Sequence, residues 1–204
     1  YLMQLIAYMG IWIYALLFLI IFLECGFILT PILPGESLLF AAGTIAAMGA
    51  LHQDLIVVLL IIAAISGGIL NFYIGRLIGS RIMHAQRLKK LQLYIKRTHE
   101  FYEKYGAVTI LIARLVPIVR TYAPFIAGVA DMNTRLFLFY NVIGGIAWVS
   151  FFVYIGYFFG TVPIIKRNFP MFLLAIIMLS LIPIIFEIKR YLRERRARKQ
   201  VDFL

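Results

Sequence analysis

A chain of 204 residues that is 63% hydrophobic and 14% charged, with a mean hydropathy of +0.95, has more apolar surface than a water-soluble domain of its size can bury. At 23.4 kDa it has room for one membrane domain of a few spans and none for a separate soluble catalytic domain. The net charge of +11 comes mainly from two basic blocks, Arg76 to Lys104 and Lys189 to Lys199, which points to membrane topology and anionic-lipid contact and away from nucleic acid.

The chain opens at Tyr1, not a methionine, so a preceding native segment is expected; residues 2–23 lack the basic flank and small-residue cleavage site of a signal peptide and read as a retained span over 5–23. Residues 24–50 are apolar but interrupted by Pro31, Pro34 and Gly35. A second span covers 55–75, where Gly67, Gly68 and Gly75, with Gly79 beyond, allow close helix approach. Asn71 on that span is an accessory site residue or an ordinary helix-to-helix hydrogen bond. Over 87–105, Leu88, Leu91, Tyr94, Ile95 and Phe101 recur opposite Lys89, Lys90, Lys96, Arg97 and Lys104, giving an amphipathic helix that lies on the cytoplasmic surface or packs on its neighbours. A second interrupted stretch, 106–131, carries Pro117, Arg120 and Pro124. Spans at 136–160 and 170–188 and a basic tail at 189–204 complete a single domain, 1–204.

Prolines in close succession remove backbone donors and unwind a helix, and unwound backbone at membrane depth survives only where protein or a water-filled cavity satisfies it. Both interrupted stretches are therefore expected to be re-entrant hairpins, broken at Pro31, Pro34 and Gly35 and at Pro117 and Pro124. With both basic blocks cytoplasmic, parity of crossings sets the hairpins on opposite faces, pointing at each other, with both termini inside. PILPGESLLFAAG at 31–43 and PIVRTYAPFIAG at 117–128 are weakly alike, as expected of an inverted repeat whose broken helices build a transport site. The expected fold is an all-α integral membrane protein of about four transmembrane helices, two opposed hairpins and the amphipathic helix.

Four charges fall at membrane depth: Glu24 and Glu36 in the first hairpin, Arg114 and Arg120 in the second. Each costs about 2.5 to 3.5 kcal/mol there if unpaired, so they pair or line a wet cavity. Such groups either clamp the hairpins or work in transport. The planar fork of arginine suits a phosphate, and a glutamate can carry a proton. Protonating Glu24 or Glu36 would release an arginine to take an anionic head group. A lone Cys25 allows no internal disulfide, and His52, His84 and His99 lack ligand spacing, so neither metal nor cofactor is expected. No nucleophile constellation or phosphate-cradling loop points to an enzyme.

Glu24, PILPGES at 31–37, GGILNFYIGR at 67–76 and ARLVPIVRTYAPFIAG at 113–128 together resemble the DedA family, also called the VTT or SNARE-associated domain family, over nearly the whole chain. The resemblance implies a bacterial inner-membrane protein whose activity depends on the proton motive force. Some members look like flippases for undecaprenyl phosphate or phospholipids, and distant relatives are lipid scramblases. By motif, the family's essential acids fall on Glu24 and Glu36 and its essential arginines on Arg114 and Arg120. The chain departs from the family at Gly68 and Phe72, where many members carry aspartate and tyrosine. The resulting expectation is a transporter of an anionic lipid or polyprenyl phosphate head group, with protons and the bilayer as partners and a homo-oligomer compatible. The alternatives are a proton-coupled antiporter for small cations or drugs and a non-transporting organiser of membrane or division machinery.

Overall fold

The computed structural model describes residues 10–27, 35–84, 106–114, 117–163 and 171. Among these residues every regular element is helical: α1 (Ile11–Gly26), α2 (Gly35–Ala47), α3 (Gln53–His84), a 3-10 turn (Gly106–Val108) that runs into α4 (Thr109–Ala113), α5 (Pro117–Val129) and α6 (Thr134–Thr161). Most of α3, over Gln53–Ile78, and all of α6 are long and apolar enough to cross a membrane, at 26 and 28 residues, and they match the spans expected at 55–75 and 136–160. Ile11, Trp12, Leu77 and Phe158 on the outer faces are 69 to 80% exposed, as suits side chains whose solvent is lipid. The expected amphipathic helix at 87–105, the tail at 189–204 and, apart from Met171, the span at 170–188 lie outside the described residues.

The first span departs from its expected boundary. α1 continues past residue 23 through Glu24 to Gly26, so Glu24 belongs to a helix and not to a hairpin. α2 and α5 are 13 residues each. At 1.5 Å per residue each is about 20 Å long, too short for a hydrocarbon core of about 30 Å.

Pro31 and Pro34 lie outside the described residues, and Gly35 is the first residue of α2. In the second stretch the two prolines do different things. Pro117 opens α5, where its fixed φ suits a first helical position and its missing N–H costs nothing. Pro124 lies inside α5, which runs on to Val129, so the expectation that Pro124 breaks the chain is corrected. α4 ends earlier, at Ala113, and Arg114 lies in a turn.

Each short helix packs on a long one through the same contact, made twice. A Cβ on Gly43 of α2 would strike the Val153 carbonyl of α6, and one on Gly156 of α6 would strike the Phe40 carbonyl of α2. Likewise a Cβ on Gly128 of α5 would strike the Phe72 carbonyl of α3, and one on Gly75 of α3 would strike the Phe125 carbonyl of α5. Phe40-to-Gly43 and Phe125-to-Gly128 thus make matching contacts, at the positions where the two sequence segments end alike. In each case glycine lets backbones meet where a side chain would hold them apart. The hydroxyl of Thr44 adds a hydrogen bond to the Gly156 carbonyl at 2.9 Å. Around these contacts one core gathers Leu17, Ile21, Leu39, Leu60, Val149 and Val153 from α1, α2, α3 and α6. A second stacks Phe72 on Phe137, centroids 4.2 Å apart.

Candidate functional site

Glu24, in the last turn of α1, is 2% exposed. Its Oε1 accepts a hydrogen bond from the Gly35 backbone N–H at 3.3 Å, at the start of α2, and another from Nη2 of Arg120. A helix N-terminus presents unpaired N–H groups and a partial positive charge, so a carboxylate is well placed there. Gly35 is needed for that approach, because a Cβ on it would collide with the Glu24 carboxylate. The next residue, Glu36, accepts from Nη1 of Arg120 at 3.3 Å. Arg120 of α5 therefore holds both carboxylates at once, and its Cζ lies 4.5 Å from the centroid of the Trp148 ring of α6, in cation–π contact. Three of the four charges picked out from sequence thus meet.

The fourth has a different partner. Arg114, in the turn after α4 and 8% exposed, donates from Nη2 to Oδ1 of Asn141 at 2.7 Å and more weakly to the Asn141 carbonyl at 3.4 Å. Asn141 is fully buried in α6 and is fixed by its own Nδ2, which donates to the Ile65 carbonyl at 3.0 Å. Among the described residues no carboxylate forms an ion pair with Arg114. Gly68 and Gly144 make the room: a Cβ on Gly68 would press on the Asn141 amide and one on Gly144 on the Arg114 side chain. Where many family members are expected to have an aspartate, at residue 68, this chain has that amide in the adjacent space.

Asn71 of α3 is also fully buried, and its Nδ2 donates to the carbonyls of Cys25 at 3.1 Å and Thr121 at 2.8 Å. The first carbonyl belongs to the unsatisfied end of α1, and the second lies one turn before Pro124, whose ring disturbs the helical ladder. Asn71 thereby ties the end that carries Glu24 to the helix that carries Arg120.

Glu24, Gly68, Arg114, Arg120, Thr121 and Trp148 line a narrow cleft of about 10 Å³, room for about one water molecule. Among the described residues, two buried polar atoms of this lining have no hydrogen-bond partner, Oε2 of Glu24 and Nε1 of Trp148. No cluster of His, Cys, Asp or Glu suited to a metal occurs among the described residues. Sequence reasoning missed Asn141 and Trp148. Both had a signal: Asn141 is a buried-type amide in a stretch free of charge, and Trp148 falls mid-span, whereas membrane tryptophans favour the interfaces.

Residues 33–158 match the family model of the VTT domain. The chain is 47% identical over 196 residues to Protein DedA of Escherichia coli (strain K12), covering 95% of this chain and 90% of that protein. It is 40% identical over 187 residues to an uncharacterized membrane protein of Mycobacterium tuberculosis, covering 90% and 82%. It is 32% identical over 175 residues to the inner membrane protein YqjA of Escherichia coli (strain K12), covering 85% and 80%. No solved structure matches the chain. The matched domain, which includes Glu36, Arg114 and Arg120, and the coverage of these relatives lead to one conclusion: the chain is a membrane protein and belongs to the DedA family of VTT-domain proteins.

Proposed function

We propose that the chain is a carrier, not an enzyme, that moves the phosphate head group of an anionic lipid, such as a polyprenyl phosphate, across a bacterial inner membrane. Relatives named as membrane and inner membrane proteins support the location. In this reading α2 and α5 are half-membrane helices of opposed re-entrant hairpins, and the cleft lined by Glu24, Arg114, Arg120 and Trp148 is the head-group site.

The observation that carries the reading is the unequal sharing of counter-charge. Arg120 takes both carboxylates, while Arg114, equally shielded from water, has an uncharged amide among the described residues. A guanidinium held by an amide keeps its full charge for an incoming anion, and a phosphate oxygen is a natural ligand for its planar fork. Arg114 is the standing anion site and Arg120 the switched one. Protonation of Glu24 or Glu36 weakens their hold on Arg120, which turns to the phosphate; loss of the proton restores the carboxylate contacts and expels the head group. The lipid tail stays in the bilayer throughout. The antiporter reading, in which carboxylates bind a cation, has less support because Arg120 already occupies both of them.

The test is the rate at which lipid phosphate placed in the outer leaflet of proteoliposomes becomes inaccessible to an added phosphatase. Arg114→Ala and Arg120→Ala should each slow it at least tenfold, on the order of the loss of one charge-assisted hydrogen bond. Rates equal to the unaltered protein's would overturn the reading.

A further inference from the structure

Trp148 is 5% exposed, lies near the middle of α6, and takes part in the cleft without being required by the charge scheme. Its ring and its N–H make separate contributions. The ring face carries the Arg120 guanidinium, a contact that does not depend on which anion the guanidinium grips. The N–H has no acceptor among the described residues, although buried indole N–H groups usually find one. An orphaned donor is costly in a low-dielectric interior, and it becomes favourable when an anionic acceptor arrives beside two guanidiniums.

Resting on the function proposed above, we infer that Trp148 is a specificity residue of the head-group site, its indole N–H donating to an oxygen of a lipid-borne phosphate monoester held by Arg114 and Arg120. The group recognised is tetrahedral, with more oxygens than two guanidinium forks occupy, so a neutral third donor stabilises it without adding charge. The face of the same ring keeps Arg120 in place when Glu24 and Glu36 release it, so that one side chain positions the switched cation and reads the ligand.

The full chain has two tryptophans, Trp12 and Trp148, and Trp12 is 72% exposed on α1. Trp12→Phe therefore leaves one indole N–H to observe. In that protein, labelled with 15N at the indole nitrogen and held in lipid nanodiscs, farnesyl phosphate should move the Trp148 N–H resonance downfield, and farnesol, which lacks the phosphate, should not. An unmoved resonance with farnesyl phosphate, an equal shift with farnesol, or a shift with inorganic phosphate alone would each overturn the inference. By calorimetry, Trp148→Phe, which keeps a ring beneath Arg120, should bind farnesyl phosphate about tenfold more weakly, as expected for one hydrogen bond to a charged group. If the resonance stays still while binding remains strong and is lost in Arg120→Ala, the tryptophan role falls and the phosphate site stands. If binding does not depend on either arginine, the proposed function falls with it.

Discussion

Nη2 of Arg114 lies 2.7 Å from Oδ1 of Asn141, so a buried guanidinium in this protein rests on an amide and not on a carboxylate. Because Asn141 also donates to the Ile65 carbonyl, its amide cannot flip without losing both bonds, and the oxygen stays turned to Arg114. Asn141→Ala should lower stability in detergent by about 1.5–3 kcal/mol, the range for a hydrogen bond to a charged group. Asn141→Asp should fold, since it keeps the acceptor, yet bind phosphate lipid poorly, because Arg114 would then be neutralised from within. Thermal unfolding and lipid binding measured on both variants separate the two effects.

The two carboxylates on Arg120 should not be equivalent. Glu24 is 2% exposed and also meets the start of α2, whereas the Glu36 side chain is 32% exposed. Breaking a buried pair leaves an uncompensated charge, while a partly solvated pair is screened. Glu24→Gln is expected to cost about 3 kcal/mol and Glu36→Gln about 1 kcal/mol or less. The double variant should cost more than both together, since each acid covers for the other's loss at the same guanidinium. Denaturant unfolding of the three variants reads this order directly.

Gly35→Ala places a methyl group where the Glu24 carboxylate lies. The expected loss is about 1–3 kcal/mol, typical of overpacking, and it should be accompanied by loss of transport comparable with Glu24→Gln. A Gly35→Ala protein with normal transport would mean that the contact between Glu24 and the start of α2 is dispensable for activity.

The repeated packing contact predicts matched costs at positions 85 residues apart in the chain. Gly43→Ala and Gly128→Ala each push a Cβ into the carbonyl of a facing backbone, Val153 in one case and Phe72 in the other. Each should lower stability by about 1–3 kcal/mol, and the two unfolding temperatures should fall together. A large drop for one variant with none for the other would show that the two contacts are not equivalent.

Much of this site was legible because charge is rare at membrane depth: Glu24, Glu36, Arg114 and Arg120 stand out in any reading of an apolar chain. Their partners were less so. Nothing local says that Arg120 takes both acids, since the pairing depends on α5 and the start of α2 arriving at the same place. Asn141 and Trp148 are single residues on α6, and their meaning comes from what α4 and α5 bring to them. Pro124 was misread for a related reason. Proline removes one backbone donor, and whether the helix yields depends on its neighbours; here Asn71 supplies a donor to Thr121, a turn away, and α5 continues. The glycines of α3 were legible as packing residues, but their partners were not: Gly67 meets α1, Gly68 the Asn141 amide of α6 and Gly75 the Phe125 carbonyl of α5.

The two parts of the chain exchange their short helices. α2 precedes α3 in sequence but lies backbone to backbone with α6, and α5 precedes α6 but lies so with α3. Neither part covers its own short helix in this way. A free-standing single part, paired with a second copy of itself, would offer the same two glycine approaches, so the chain has the packing expected of two like halves joined end to end.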